Sequence, residues 1–385
     1  MTTTVTPAIK VTIARETLLS ALSRVALVVP RNANQLPVLA CVRIEGVGSN
    51  RLRFTATNLD RTVTTEAPAD DAGDFPARLV PCHRLMAIVS QMPPSPVLLA
   101  PIPKGVRVGG GRARFEIAGF AEDEFPRDEP PEANQLPVAF DAPTLIGALA
   151  RAATHAANEL SRPTVSGVHV AASANEPVTV EATNGHRLAR EFIPRTAGPA
   201  LDFIMPTASI GIIGKLFAES ELLSIDMRGM RAIVSDASGD GSLVFESRLI
   251  EGPYPDVSRV IDRELPHEAT VDRLALLAAV RRIAALSTSE SLLVSMTWEA
   301  KQVTLRATGD RDAGTGEDVV PCVMTSGAPL KIAFNPKYLI DALTLRTGDV
   351  VRVGLKSADT QMSMRDDGQT LVQNLVMPRR DLGVD

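Results

Sequence analysis

The apolar residues in this chain show the pattern of a short strand and then the stripe of an amphipathic helix, and this combination occurs three times. Residues 11–22, 138–149 and 269–280 each read as a strand followed by an amphipathic helix. The apolar helix positions fall at i, i+4 and i+7, which places them on one face. They are Leu18, Leu22 and Val25, then Leu145, Leu149 and Ala152, then Leu276, Val280 and Ile283. Asp141 and Asp272 stand where an N-cap would begin the second and third helices.

Two further marks recur at the same period of about 125 residues. One is an Ala-Thr pair, at 56–57, 182–183 and 307–308. The other is a strand, a proline and a second helix, with the proline placed for a first helical turn. The marks predict six helices, at residues 15–28, 81–92, 142–157, 206–217, 273–285 and 336–346. Short alternating runs predict antiparallel strands, roughly eight in each repeat.

The repeat predicts an α+β fold of three similar domains, each with two helices packed on antiparallel sheets. A period of this length excludes the common solenoids. The boundaries fall in two proline-rich linkers, residues 121–132 and 251–266. Phe125-Pro126 and Tyr254-Pro255 close the first two domains at equivalent places. The predicted domains are 1–128, 136–257 and 265–385.

Charge is sorted by secondary structure. The chain of 385 residues has 40 Lys and Arg against 45 Asp and Glu, a net charge of −5. The predicted helices hold ten basic and two acidic residues, so they carry +8 while the remainder carries −13. Basic helices beside an acidic remainder predict a surface that attracts a phosphate backbone without reading sequence. The alternative is that these are ordinary exposed arginines.

One arginine recurs in register on the first helix of each repeat. It stands six residues after the leading leucine, at Arg24, Arg151 and Arg282. Six steps of 100° place it 120° from the core direction, so it is expected to point outward. These three arginines and four other basic residues of the predicted helices form a set that we call the helix cations, and we expect this set to face the phosphates. The helix cations are Arg24, Arg84, Arg151, Lys215, Arg281, Arg282 and Lys337.

Composition excludes several other classes. The three cysteines, Cys41, Cys82 and Cys322, are odd in number and far apart, which excludes a disulfide framework and a Cys-based zinc site. A reducing, cytosolic compartment is expected, and no metal or cofactor. The longest uncharged run, residues 85–103, contains five prolines, and the start of the chain lacks the regions of a signal peptide. We therefore expect no membrane segment.

At the level of motifs, the chain resembles the bacterial DNA polymerase sliding clamp family, the β subunit of the replicative polymerase. Residues 182–189, Ala-Thr-Asn-Gly-His-Arg-Leu-Ala, resemble the family motif Ala-Thr-Asp-Gly-His-Arg-Leu-Ala. Residues 35–39, Gln-Leu-Pro-Val-Leu, are similar to its Leu-Pro-Ile-Leu segment. Residues 247–256 resemble its Lys-Leu-Val-Asp-Gly-Arg-Phe-Pro-Asp, and residues 375–378 its C-terminal Val-Met-Pro. The resemblance spans essentially the whole chain.

The resemblance implies a head-to-tail homodimeric ring of six domains with twelve helices around a central hole. Six helices per chain, found from the repeat alone, give the same twelve. It further implies a sliding clamp, a polymerase accessory subunit without a catalytic site, located in the cytoplasm with the nucleoid. The implied partners are double-stranded DNA, bound without sequence preference, and a second copy. The other implied partners are linear peptide motifs of the polymerase catalytic subunit, the clamp loader and repair proteins.

The resemblance also implies two contact sites. The dimer interface would bring Phe115 and Ile117 of one copy against Ala285 and Leu286 of the other. A peptide groove, carried over residue by residue, comprises Val165, Thr183, Gly185, His186, Arg187, Leu188, Pro255, Arg259, Val260, Leu375, Val376, Met377 and Pro378. Because Asn-Gly is a common turn dipeptide, a plain strand-ending turn remains the alternative for residues 183–187.

The chain departs from the family at its C-terminus. It reads Met377-Pro-Arg379-Arg380-Asp381 where the family has Met-Pro, an apolar residue and Arg-Leu. We expect Arg379 and Asp381 to favour a charged peptide at the groove rim. Two other functions stay open: a diverged partner-binding scaffold that no longer encircles DNA, and a hydrolase around His186. No nucleophile elbow, phosphate loop or metal-ligand pair in the sequence supports the hydrolase.

Overall fold

The three sequence repeats fold alike. A computed structural model describes residues 9–126, 132–133, 136–158, 161–195, 197–261, 265–286, 293–308, 314–325, 328–368 and 373–379. In these residues it has six α-helices and 24 β-strands. Each repeat contributes one strand, a helix, four strands, a second helix and three strands, in that order. The predicted α+β class and the count of eight strands per repeat are confirmed.

All six predicted helices are present, and each ends one to four residues earlier than predicted. Their bounds are α1 (Arg15–Val25), α2 (Cys82–Ser90), α3 (Ala142–Ala153), α4 (Thr207–Leu216), α5 (Arg273–Ala284) and α6 (Pro336–Thr344). The predicted apolar stripes are buried, with leading residues Leu18, Leu145 and Leu276 almost without exposed surface. Burial of this stripe, rather than intrinsic propensity, is what stabilises helices of 9 to 12 residues.

Side-chain caps begin two of the first helices. Asp272 Oδ1 accepts a hydrogen bond from the Ala275 N–H at 2.7 Å, and Asp141 Oδ1 accepts one from the Thr144 N–H at 2.9 Å. The N-cap of α1 is Ala14, which provides no side-chain cap. The predicted N-caps are therefore confirmed, and they satisfy backbone donors that a helix leaves without partners.

We expect Asp272→Ala to weaken the first turn of α5 by about 1 kcal/mol, since it leaves the Ala275 N–H without its acceptor. Amide hydrogen exchange in that turn should speed up about fivefold. Asp272→Asn is the matched control, because asparagine caps equally well. Unchanged exchange in the alanine variant would mean that the cap does not stabilise the helix.

One compact unit comprises Met1–Ile146 and Ala208–Leu249 and contains two antiparallel sheets. The smaller sheet has the spatial order β1 (Val11–Ile13), β6 (Val97–Ile102), β7 (Gly105–Gly110), β8 (Ala113–Ala118). The larger has the order β5 (Arg78–Pro81), β2 (Cys41–Val47), β3 (Arg51–Thr57), β4 (Arg61–Pro68), β16 (Leu243–Arg248), β15 (Arg231–Asp236), β14 (Leu222–Arg228), β9 (Val138–Asp141). Phe125 packs with Val38, Cys41 and Leu79 at the end of the first repeat.

The other compact unit comprises Gly147–Thr207 and Ile250–Asp385 and contains one sheet. Its order is β13 (Leu201–Pro206), β10 (Gly167–Ala172), β11 (Val178–Thr183), β12 (Arg187–Ile193), β24 (Gln373–Val376), β23 (Met362–Asp366), β22 (Val350–Leu355), β17 (His267–Asp272), β20 (Thr315–Met324), β19 (Gln302–Thr308), β18 (Val294–Trp298), β21 (Leu330–Phe334). Beneath its third-repeat strands lies a core that includes Trp298, Phe334 and Val376.

Strand pairs of one type connect successive repeats. β4 of the first repeat pairs with β16 of the second, and β12 of the second pairs with β24 of the third, both antiparallel. In each case the fourth strand of one repeat meets the last strand of the next. The compact units therefore divide the second repeat, and the domain boundaries predicted from the linkers stay a prediction.

The three cysteine thiols are free and buried. Burial raises the pKa of Cys41 and of Cys82 to about 12, so both stay protonated at neutral pH. No helix in the described part of the chain is long and apolar enough to cross a membrane.

Candidate functional site

Three of the helix cations are exposed and uncommitted. Arg84, Lys215 and Lys337 lie on the second helix of the first, second and third repeats, respectively. Among the residues that the structure describes, their side chains have no hydrogen-bond or ion-pair partner. Their charge is therefore available to an external phosphate.

Arg151 is not available in the same way. Its Nε donates to Oε1 of Glu191 and its Nη2 to Oε2, each at 2.6 Å, and the Glu191 carboxylate is almost fully buried. The prediction of a free outward guanidinium is wrong here, because β12 places Glu191 beside the outward face of α3. A bidentate pair of this kind cancels most of the arginine charge.

The equivalents of Arg151 in the other two repeats are intermediate in how much of their charge is free. Arg282 Nε donates to Asp318 Oδ2 at 2.7 Å, although the arginine side chain is largely exposed. Arg24 is half-buried, and its Nη1 lies 3.4 Å from Thr65 Oγ1. Arg281 is exposed at the end of α5. The first-helix arginines therefore offer less free charge than the second-helix cations.

Other basic helix residues hold the fold together. Arg15 Nε and Nη2 donate to the carbonyls of Val89 and Ser90, at 3.1 and 2.6 Å, at the end of α2. Arg273 makes the equivalent contact in the third repeat, where its Nε donates to the Gly348 carbonyl at 2.6 Å. Each arginine joins the start of the first helix to the chain at the end of the second. The charge count over the helices thus overestimates the charge that solvent or DNA meets.

β8 presents the first of two free sheet edges that carry or adjoin predicted interface residues. It is the outer strand of its sheet, and Phe115 on it is 43% exposed. Ile117, two residues further along β8, is buried in the chain's own core, although residues i and i+2 of a regular strand face the same side. The Ile117 side chain is therefore not available to a second copy, in contrast to the prediction.

The second free edge belongs to β20. This strand pairs with β19 over residues 315–321 but with β17 only over residues 322–324. Among the described residues, its first half has no partner on the β17 side. Leu286 packs beside this half: a Cβ on Gly316 would lie 2.7 Å from Leu286 Cδ1. Ala285 precedes Leu286 in the chain and is exposed at the end of α5.

The structure brings together three segments of the predicted groove that are remote in sequence. Leu188 pairs with Leu375 between β12 and β24, and the Met377 N–H donates to the His186 carbonyl at 2.8 Å. Leu188, Leu375 and Val257 form an apolar cluster, against which Tyr254 and Ile261 pack. The second linker thereby joins the turn and the terminal strand.

The remaining groove residues divide by exposure. Pro255, Arg259 and Val260 are exposed, while Met377 and Pro378 are half-buried and Val165 is buried. Val376 is fully buried in the core of the third repeat, on the face of β24 opposite Leu375, so its predicted place in the groove is wrong. Arg379 is exposed, and its N–H donates to the Ala333 carbonyl; Asp381 lies outside the described residues.

Residues 183–187 do form the tight turn that Asn-Gly predicts. Thr183 Oγ1 accepts from the Gly185 N–H at 3.0 Å, and Asn184 Oδ1 accepts from the His186 and Arg187 N–H groups. Gly185 has φ = 87°, a left-handed conformation that suits glycine. The turn leaves the His186 ring exposed, two residues before Leu188 of the apolar cluster, so a tight turn at residues 183–187 is compatible with the groove.

Arg187 is buried and organises one side of the turn. Its Nη1 pairs with Asp341 Oδ2, and its Nη2 donates to the Thr154 carbonyl. The guanidinium carbon lies 4.7 Å from the centroid of the Tyr338 ring, against which His186 also stacks. Tyr338 and Asp341 on α6 were not found from the sequence. The chain has only two tyrosines, Tyr338 and Tyr254, and both border the groove; this rarity was the available signal.

A buried polar network lies beneath the turn. Asn374 Nδ2 donates to His155 Nε2 at 3.2 Å, which requires a neutral imidazole. Burial above all, and then the nearby Arg187 charge, lowers the pKa of His155 to about 3. Arg346 donates to the Met364 carbonyl at 2.6 Å and lines a cavity of about 130 Å³ with Arg151 and Asp366. Because Asn374 and Met364 lie on β24 and β23, these contacts help to fix the terminal strand.

The site can hold an extended apolar peptide, since it combines a desolvated cluster with an exposed polar turn. No group of three or more His, Cys, Asp or Glu within the described ranges could hold a metal ion.

Comparison with known proteins identifies relatives along the whole chain. Family models match residues 9–129 as the N-terminal domain of the DNA polymerase III beta subunit and residues 258–380 as its C-terminal domain. The beta sliding clamp of Caulobacter vibrioides is 30% identical over 343 residues, covering 86% of this chain and 89% of that protein. The beta sliding clamp of Synechococcus elongatus is 28% identical over 374 residues, covering 93% and 96%.

Solved structures agree with these relatives. The DNA polymerase III subunit beta of Pseudomonas aeruginosa matches at 25% identity with a TM-score of 0.89, covering 96% of this chain and all of that one. A sliding clamp from Bartonella birtlesii, solved with griselimycin bound, matches at 27% identity with a TM-score of 0.87, covering 97% and 99%.

Proposed function

Since this chain belongs to the bacterial DNA polymerase III beta subunit family, the sliding clamps of DNA replication, we propose that it encircles duplex DNA as a head-to-tail homodimer. In that ring it tethers the replicative polymerase and other partners. Residues 1–128, 136–257 and 265–385 are its three domains. It acts in the cytoplasm, where the nucleoid lies.

One observation carries the dimer: the strand pairing between repeats. The fourth strand of one repeat pairs with the last strand of the next, as in β4–β16 and β12–β24. The same rule applied to the third repeat requires a partner for β20, and the only repeat left is the first, whose last strand is β8. Both strands have a free edge among the described residues. A second copy satisfies both edges, and two such contacts close a ring.

Charge supports this arrangement only in part. Arg114 on β8 and Arg112 just before it are opposite in sign to Glu317 and Asp318 on the free half of β20. However, β8 also carries Glu116, and Glu317 and Asp318 already pair with Arg306 and Arg282 of the same chain. The proposal therefore rests on the free backbone edges.

The decisive experiment compares topologies of DNA. A closed ring, once loaded by the clamp loader, should stay on nicked circular DNA and slide off the same DNA after linearisation, while the solution mass is that of a dimer. Equal loss from both DNAs by a dimeric chain would support the alternative, a partner-binding scaffold that does not encircle DNA.

We expect the second-helix cations to govern the salt dependence of DNA binding, which is separate from topological retention on a circle. Replacing Arg84, Lys215 and Lys337 by Gln removes six free charges from a dimer. The slope of the log binding constant for linear duplex DNA against log salt should become shallower by up to about 5, at roughly 0.9 per lost phosphate contact. Folding and dimer mass should not change, because exposed side chains contribute little to stability.

The control is the first-helix set, Arg24, Arg151 and Arg282, replaced in the same way. Its effect should be smaller, because Arg151 and Arg282 are already paired with carboxylates. A larger effect from this control set would place the DNA on the first helices.

The groove supports the tethering role. Its floor is the apolar cluster of Leu188, Val257 and Leu375, and its rim includes the exposed Pro255 and Val260. An extended peptide that inserts apolar side chains there would link a partner protein to the clamp without a large interface. The polymerase catalytic subunit, the clamp loader and repair proteins are the proposed partners.

A further inference from the structure

His169 on β10 lies between two carboxylates. Its Nδ1 is 2.9 Å from Glu181 Oε1 on β11, and its Nε2 is 3.0 Å from Asp202 Oδ1 on β13. A neutral imidazole has one N–H and could donate to only one of them, leaving a lone pair facing the other. Both hydrogen bonds are made only when the ring is an imidazolium cation.

The charges around the ring favour that cation. Glu181 is buried and also accepts a hydrogen bond from Arg190 Nε on β12 at 2.6 Å. Burial alone would raise the pKa of Glu181, but the hydrogen bonds from His169 and Arg190 lower it, so it remains ionised. Asp202 is 86% exposed, and its Oδ1 faces the other ring nitrogen of His169.

The same balance applies to the histidine. Burial alone would lower the pKa of His169, but the hydrogen bonds to Glu181 and Asp202 outweigh it and raise the pKa above its usual value. The folded chain therefore gains stability from His169 at pH values below about 6.5, and loses that gain as the pH rises through the elevated value.

The ring also reaches the groove. His169 stacks on Tyr254, with the ring centroids 4.6 Å apart and the planes 15° from parallel. Tyr254 in turn packs against the cluster of Leu188, Val257 and Leu375. An imidazolium is attracted by the face of an aromatic ring more strongly than a neutral imidazole is. Loss of the proton therefore weakens the hydrogen bonds of His169 to Glu181 on β11 and Asp202 on β13. It also weakens the stacking of His169 on Tyr254.

We propose that His169 is a positioning residue for the peptide groove, and that its protonated form holds Tyr254 and the second linker in the conformation that binds peptide. This inference rests on the groove of the proposed function. Its consequence is that peptide affinity falls as the pH rises. The histidine touches no peptide, and acts only through Tyr254.

The test is calorimetric titration of the full chain between pH 5.5 and 8.5. The probe is an end-blocked peptide without ionisable side chains, with a Gln followed by apolar residues and a Leu-Phe pair. If binding raises the His169 pKa by half a unit to one unit, the dissociation constant should rise about three- to tenfold over this range. The ring proton resonances of His169 should titrate at the same midpoint.

Three variants make the test specific. His169→Gln should bind weakly at every pH, with a flat profile. Asp202→Asn keeps the histidine and, being exposed, leaves folding intact; it should move the midpoint to lower pH. His83→Gln, an exposed histidine on α2, should keep the profile of the unmodified chain.

Each contrary outcome has a definite meaning. A pH profile that persists in His169→Gln would assign the titration to another group such as His186, and overturns the inference. A flat profile in the unmodified chain overturns it as well, while leaving the groove in place. Absence of binding at every pH overturns the groove and, with it, this inference.

Discussion

Phe115→Asp should convert the dimer into monomers of 41.0 kDa that are not retained on circular DNA. Phe115 is a large apolar side chain, 43% exposed on the free edge of β8. Its burial against a second copy would contribute about 2 kcal/mol at each contact. A head-to-tail dimer has two such contacts, so the loss is about 4 kcal/mol, roughly a thousandfold in the dissociation constant. The measurements are light scattering and DNA retention.

Because Phe115 is exposed, its replacement leaves the core of the chain intact. Leu286→Asp tests the opposite side of the contact, but Leu286 also packs against the core of the third repeat, so its folding must be checked first. Met230→Asp is the matched control, since Met230 is 45% exposed in the turn between β14 and β15. A dimer mass in the Phe115 variant equal to that of the control would exclude the β8 edge as the interface.

The repeat made the fold predictable. Apolar spacing fixed which face of each helix is buried, and Asp141 and Asp272 marked two helix starts, because stripes and caps are properties of neighbouring residues. The strand count followed from alternation in the same way. Helix ends were less predictable: apolar residues such as Val28 continue the pattern past α1 although they lie in a turn.

Predictions about site residues were incomplete where a residue distant in the sequence determines the contact. The helical angle of Arg151 was predicted, but Glu191, forty residues away, determines that the charge is neutralised. Arg187 is predicted for the groove, but its buried pairing with Asp341 on α6, 154 residues away, could not be predicted from the local pattern. Val376 packs in the core of the third repeat, whereas its neighbour Leu375 packs with Leu188 and Val257 on the other face of β24. The local sequence pattern predicts the face of a helix or strand on which a residue lies. Which residues contact that face depends on the folded chain.

The second large effect is expected on peptide binding, when single groove residues are replaced. We expect micromolar affinity, about −8 kcal/mol, since a short peptide loses conformational freedom on binding. Val260 is 47% exposed on the second linker, so Val260→Asp should leave the fold intact and weaken binding about tenfold, by placing a charge where an apolar side chain is desolvated. Leu188→Asp puts the charge in the centre of the cluster, and should abolish binding.

Truncation after Val376 tests the terminal wall separately. It removes Met377, whose N–H holds the His186 carbonyl, and Pro378, while the buried Val376 stays in the core. Affinity should fall at least as far as in Val260→Asp. Val323→Asp is the control, because this exposed valine lies on β20, which contributes nothing to the groove. Equal binding by the truncated chain, both groove variants and the control would place the partner site elsewhere. Loss in the first three alone would leave the joined turn, linker and terminal strand as the surface on which partners are held.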